Sequence, residues 1–253
     1  MLSAAELERY KKDGQITAPV ALSPEMVAEL RTKMDSFFAA QPGIDQDYAA
    51  NLIDQDSSWL KYAMLPEILD TVRALIGDDI IVWGSALFAK KGKGGKATPW
   101  HQDGHYWPIR PLQTVTAWIA IDDVDVGNGC MRVLPGTHAD HVLHDHYTED
   151  SPDVVLNQAL EVGDGRFGTP RDIELKAGHF SVHDVYLVHG AAANDSGRRR
   201  AGLVFRYMPS TSHFDRDLAR KQVEEMNVPD LSKRRLYLVS GQDRSGKNDI
   251  TTN

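Results

Sequence analysis

Residues 98–107 read TPWHQDGHYW. Within five positions they place His101, Asp103 and His105, three side chains able to ligate a metal. In an extended strand, residues two apart project to the same face. His101 and Asp103 are therefore expected to emerge together as a nitrogen–oxygen pair. Imidazole with carboxylate suits iron, zinc or manganese rather than calcium or thiolate-bound copper. Gly104 follows, and the strand is expected to end or bend there, so His105 need not share the face. Such a pair is common by chance and carries weight only with partners.

The partners lie far downstream, in FSVHDVYLVHGAAANDSGRRR, residues 180–200. An apolar run ends in His189-Gly190, a turn follows at Asn194-Asp195-Ser196-Gly197, then three arginines and a further apolar run, AGLVFRYM. Two antiparallel strands joined by that turn would bring Arg200 near His189. The set is then two histidines, one carboxylate and one arginine. A two-histidine, one-carboxylate facial triad with open coordination positions marks non-haem Fe(II) oxygenases. A 2-oxo acid can fill two open positions and dioxygen the third. The far carboxylate of that co-substrate needs a cation, and a planar guanidinium binds it bidentately.

These residues need a scaffold. Ser3 with Glu6 forms a capping-box pattern and Gly14 offers a stop, so the chain is expected to open with a helix. Ser23-Pro24 starts a second helix, with Met26, Val27, Leu30, Met34 and Phe37-Phe38 on one stripe ending near Gly43. A third is expected from Pro66 to Ile76, closed by Gly77. Beyond residue 79 the texture changes. Segments 80–89, 114–121, 130–134, 180–188 and 201–207 are short, rich in β-branched and aromatic residues, and punctuated by Gly, Pro, Asn and Asp. Segment 138–170 reads as a long excursion. We expect one domain over 1–253: mostly helical support at 1–78, a β core at 79–210 and a C-terminal segment at 211–253. The fold class is mainly β with N-terminal helices.

The chain has 253 residues and a net charge of −8, which argues against nucleic acid as a partner. Its longest uncharged apolar-rich run, 80–89, is far too short to span a bilayer. A single cysteine, Cys130, allows no internal disulfide and fits a reducing compartment. The expectation is a soluble cytoplasmic protein acting on a small molecule, with no membrane association and an oligomeric state the residues leave open. The basic run KKGKGGK at 90–96 reads as a solvated loop.

HQDGHYWPIRP, TAWIAIDDVDVGNGCMRVLPGTH and HGAAANDSGRRR, together with LPEIL at 65–69 and FAKK at 88–91, resemble the phytanoyl-CoA dioxygenase family of Fe(II)/2-oxoglutarate oxygenases in order and spacing. The resemblance covers most of the chain. It implies a double-stranded β-helix (jelly-roll, cupin-like) core, with Fe(II), 2-oxoglutarate and O2 as cofactor and co-substrates. It implies that His101, Asp103 and His189 bind the iron and that Arg200, eleven residues after His189, pairs with the distal carboxylate of 2-oxoglutarate. Gln102, Trp118 and, more loosely, Asn51 and Ala86 match positions that line the 2-oxoglutarate pocket. His105, Tyr106, Trp107 and Arg110 become candidates for the substrate side. Halogenases of the family replace the carboxylate by a small residue; Asp103 is present, so the implied reaction is hydroxylation of an aliphatic C–H, with succinate and CO2 released.

Alternatives stay open on the residues alone. His101, Asp103 and His105 could form a zinc or manganese site of a cupin-like hydrolase or isomerase, or the fold could bind a metal or metabolite without catalysis. Arg198 shares strand parity with Arg200, and Arg199 is adjacent. His183 lies six residues before His189, about 20 Å along a regular strand, and reads as structural. His138, His141, His144 and His146 read as an exposed loop or short helix rather than a second metal site.

Overall fold

A computed structural model describes residues 2–163 and 165–252. The helix signals act where they were expected. The Ser3 hydroxyl accepts from the Glu6 amide, the Glu6 carboxylate accepts from the Ser3 amide, and Gly14 closes Ala4–Asp13 in the left-handed region at φ 74°. Ser23 caps Pro24–Ala40, which stops at Gln41, before Gly43. Pro66–Ile76 ends at Gly77.

Two antiparallel sheets form the β portion. The larger runs in the order Gln15–Ala21, His179–Asp184, Val115–Ala120, Arg200–Pro209, Ile80–Lys90, Tyr237–Ser240, with Ala49–Ala50 also paired to Ile80–Lys90. The smaller runs Arg171–Ile173, Met131–Val133, His189–Ala191, Thr98–His101. Alternate residues of the central strands divide between two cores. Ala117, Ile119, Leu203 and Phe205 pack with Leu30, Met34, Trp59 and Ile68 from the helices. Ala86, Trp118, Ala120 and Val204 pack with Met131, Val133 and Ile173 of the smaller sheet. A sheet covered on both faces reads as continuous apolar runs, which is why these strands stood out in the sequence. The two sheets and their shared core are the double-stranded β-helix, with helices on the outer face of the larger sheet.

Three expectations change. The run 180–188 is not one strand: His179–Asp184 belongs to the larger sheet and His189–Ala191 to the smaller, with a turn between. Strand Gln15–Ala21 directly follows the first helix and pairs with His179–Asp184, a long-range contact no local pattern encodes. The segment 211–253 supplies helix Arg216–Met226 and edge strand Tyr237–Ser240; Phe214, Ala219, Leu231 and Leu236 close over Trp83 and Trp107. No helix among the described residues is long and apolar enough to cross a membrane.

Candidate metal centre and its cavity

His101 is the last residue of Thr98–His101, His189 the first of His189–Ala191, and the two are direct cross-strand partners. Opposed residues hold their Cβ atoms about 4.5–5.5 Å apart, and here the imidazole centroids stand 4.2 Å apart. Asp103 does not share the strand with His101. The strand stops at His101, and a 3-10 turn over Asp103–Tyr106 carries the carboxylate back to the histidines. Ligand atoms of His101, Asp103 and His189 all lie within 4.8 Å of one another, and all three residues are buried. Among the described residues no other His, Cys, Asp or Glu cluster meets that geometry.

Hydrogen bonding leaves the right atoms unused. Nδ1 of His101 lies 2.9 Å from the Pro99 carbonyl, and Nδ1 of His189 lies 2.9 Å from the Leu187 carbonyl. A carbonyl only accepts, so each neutral ring carries its hydrogen on Nδ1 and offers a lone pair at Nε2. Asp103 Oδ2 accepts from Thr116 Oγ1 at 2.9 Å and from His183 Nε2 at 3.3 Å, which leaves Oδ1 toward His101 Nε2, 3.6 Å away. Outer partners of this kind fix the orientation of metal ligands. Burial by itself would raise the Asp103 carboxyl, but the His101 and His183 rings beside it outweigh burial and hold the group well below its usual range. Burial, then the neighbouring His101 and His183, keep His189 well below its ordinary value and so neutral. Two imidazoles that turn Nε2 toward one carboxylate fit a borderline divalent metal such as Fe(II).

The cavity over this cluster is also lined by Tyr106, Thr116, Trp118, His183, Arg200 and Arg206. Arg200 opens its strand opposite Lys90, is 2% exposed, and lies 4.7 Å over the Trp118 ring. Its Nε has no partner, and no ion pair holds it among the described residues. Burial pushes it down to about 10, still a cation at neutral pH. Gly202 makes this stack possible: a Cβ there would lie 2.0 Å from Trp118 Cζ2. Arg198 and Arg199 are spent elsewhere, on Asp125 at 2.7 Å and on Asp122 at 2.8 Å.

Lys90, expected in a solvated loop, is fully buried beside Arg200, its Nζ donating to the Ala192 carbonyl at 2.6 Å. Burial, then the Arg200 charge, push its ammonium down to about 6. The unfolded chain therefore binds a proton that the folded chain lacks between about pH 6 and the ordinary lysine value near 10.4. The penalty is full below that window and fades as pH rises through it. Lys90→Met is expected to gain Tm relative to the parent protein by several degrees more at pH 7 than at pH 9.5, because each kcal/mol moves Tm by about 2–4 °C at this chain length. Paired melting curves at the two pH values check this; a gap that does not change with pH means Lys90 keeps its proton when folded.

The other candidates separate. Gln102 spends its side chain on the Val142 and Tyr186 carbonyls and the His144 amide, and stands outside the cavity lining. It tethers the 142–146 segment to the turn after His179–Asp184. Asn51 lies outside the lining, in the left-handed region at φ 66°, with its amide N–H on the Ser85 carbonyl. Ala86 faces Val204 in the inner core. His105 stacks on His146 at 4.1 Å and is neither in the ligand cluster nor in the lining, which removes the His101–Asp103–His105 arrangement. Trp107 is buried edge-on to Trp83, behind the cavity, and Arg110 is exposed, its guanidinium on the Ile109 and Trp107 carbonyls. His138 is buried against the Lys11 carbonyl, whereas 141–146 is largely exposed and forms no helix.

Thr116, His183 and Arg206 are cavity residues to which the sequence alone gave no site role; Thr116 reaches Asp103 from the neighbouring strand Val115–Ala120. His183 reaches the site because its strand ends at Asp184 and the chain turns back; its ring lies 4.4 Å from His189. The regular-strand distance was the wrong ruler. Arg206 sits at even spacing from Arg200 inside AGLVFRYM, and a charged residue within an apolar strand was the available signal.

The sequence model of the family described as "Phytanoyl-CoA dioxygenase (PhyH)" matches residues 10–202. "Phytanoyl-CoA dioxygenase, peroxisomal" of Bos taurus is 24% identical over 93% of this chain and 71% of the bovine protein. Its Homo sapiens counterpart is 30% identical over 83% of this chain, which spans 63% of the human protein, less than two thirds. Among solved structures, the non-heme alpha ketoglutarate dependent carbocyclase SnoK from nogalamycin biosynthesis superposes with a TM-score of 0.71 at 26% identity, covering 85% of this chain and 87% of SnoK.

Proposed function

The chain belongs to the phytanoyl-CoA dioxygenase family, and from that premise we propose that it is a non-haem Fe(II)/2-oxoglutarate-dependent dioxygenase that hydroxylates an aliphatic C–H of a small molecule. In this reading residues 1–253 act as one oxygenase domain in the cytoplasm. The observation that carries the proposal is the convergence of the His101, Asp103 and His189 ligand atoms within 4.8 Å, in a cavity that also holds the unpaired Arg200 guanidinium.

Nε2 of His101, a carboxylate oxygen of Asp103 and Nε2 of His189 hold Fe(II). Iron so bound supplies oxygen activation coupled to oxidative decarboxylation of 2-oxoglutarate, which leaves succinate and CO2. Arg200 receives the distal carboxylate of 2-oxoglutarate, and Trp118 holds the guanidinium plane in place. Thr116 and His183 lock Asp103 by hydrogen bonds, so the ligand does not swing when substrate enters. Buried walls exclude water from the reacting centre. A zinc or manganese hydrolase finds less support, because His105 stands apart and such an enzyme has no use for Arg200.

The test is succinate release. Purified protein with Fe(II), 2-oxoglutarate and air, challenged with a panel of small molecules, is expected to form succinate in proportion to oxidised product. Tight Fe(II) binding with no succinate from any panel member would favour a binding protein instead.

A further inference from the structure

The geometry points to a substrate that carries its own anionic group, a carboxylate or a similar small oxyanion, seated on Arg206. This rests on the oxygenase reading, which assigns Arg200 to the co-substrate, and it extends that reading to a substrate class.

Residues 200, 202, 204 and 206 share the inner face of the strand Arg200–Pro209. Arg200 and Arg206 thus bracket a stretch of about 20 Å along the backbone, and both residues line the cavity over His101, Asp103 and His189. Trp118, crossing above Gly202, lies under Arg200. The cavity therefore has two cationic stations on one wall. One co-substrate needs only one of them.

Arg206 is built in rather than left over. It is 8% exposed, and its guanidinium carbon lies 5.2 Å from the Trp107 ring centroid and 5.9 Å from that of Trp83. Such stacking holds the fork in one plane. Gly84, its cross-strand neighbour, leaves the space: a Cβ there would stand 3.2 Å from Arg206 Cδ. Among the described residues no carboxylate pairs with it directly, although Tyr48 and Asp103 nearby favour its charged form. Arg206 makes no ion pair among the described residues, and its Nε has no hydrogen-bond partner. Its polar surroundings are the Tyr48 and Tyr106 phenols and, at longer range, Asp103, whose oxygens are committed to Thr116, His183 and the ligand cluster. A buried guanidinium without a counter-charge is costly unless an anion arrives to pair with it. The Tyr106 phenol, which also lines the cavity, can donate to the same oxyanion.

The test uses protein loaded with Mn(II) and saturating 2-oxoglutarate under anaerobic conditions. The probes are hexanoate, benzoate, phenylacetate and phenylphosphonate, each acid paired with its neutral amide. Binding is read by calorimetry. At least one acid is expected to bind about 10- to 100-fold tighter than its amide, the range for a charge-assisted hydrogen-bonded pair. Arg206→Gln should abolish that preference and Arg206→Lys should restore part of it, both with 2-oxoglutarate affinity within about twofold of the parent. Carboxylates preferred over the phosphonate, or the reverse, identifies the oxyanion. Equal binding of acids and amides, no binding of any acid, or a preference that survives Arg206→Gln would overturn the assignment. The same titrations without Mn(II) and 2-oxoglutarate separate the two claims. If those two fail to bind while the acid preference and its loss in Arg206→Gln persist, the oxygenase reading falls and the anion seat stands.

Discussion

Asp103→Ala is expected to lower succinate release by more than about 100-fold and to abolish the rise in Tm that Fe(II) gives the parent protein. Loss of a mere outer partner already costs metal sites about 10–100-fold in affinity or activity, and Asp103 supplies the only carboxylate of the cluster. The mutation also strands two donors, Thr116 Oγ1 and His183 Nε2, that now converge on Oδ2. His101 and His189 remain side by side, held through Nδ1 by the Pro99 and Leu187 carbonyls, so two ligands stay in place without the third. Anaerobic melting with and without Fe(II) separates a lost ligand from a lost fold. Binding to the native state alone raises stability by about 2.7 kcal/mol at 100 times Kd. A variant that melts like the metal-free parent, and no longer responds to Fe(II), has lost the site and kept the structure. Full activity in this variant would overturn the triad.

Arg200→Gln is expected to raise the KM for 2-oxoglutarate by roughly 30-fold to several-thousand-fold, with Fe(II) affinity unchanged. Truncating one partner of a buried, hydrogen-bonded charge pair costs about 2–5 kcal/mol. The free protein should not suffer: Arg200 has no ion pair to lose, and its removal relieves the charge beside Lys90. The loss therefore appears in co-substrate binding and not in the melting temperature of the free protein. Arg200→Lys should recover only part of the affinity, since an ammonium lacks the planar fork and stacks less well on Trp118. Arg198→Gln serves as the control, because Arg198 is 54% exposed and bound to Asp125. An unchanged KM in Arg200→Gln would move the distal carboxylate elsewhere, and Lys90 would be the next residue to test.

The sequence by itself determined the local chemistry of this protein. Helix caps at Ser3 and Ser23, strands rich in β-branched residues, the HxD pair and the His-Gly pair are each short-range signals. They act through neighbouring backbone groups, so they survive without knowledge of the rest of the chain. Sheet pairing decided the remainder. His101 and His189 meet because their strands are neighbours in the smaller sheet. His183 joins them because the run ending in His189-Gly190 breaks after Asp184 into two strands of different sheets, and a regular-strand distance held only as long as one strand was assumed. The same logic moved His105 onto His146, withdrew Gln102 into the 142–146 segment, sank Lys90 beside Arg200 and aimed Arg206 into the cavity. Side-chain parity is written in the sequence. Which core each parity faces, and where a strand changes sheets, follows from contacts between segments tens of residues apart, and only the tertiary structure decides them.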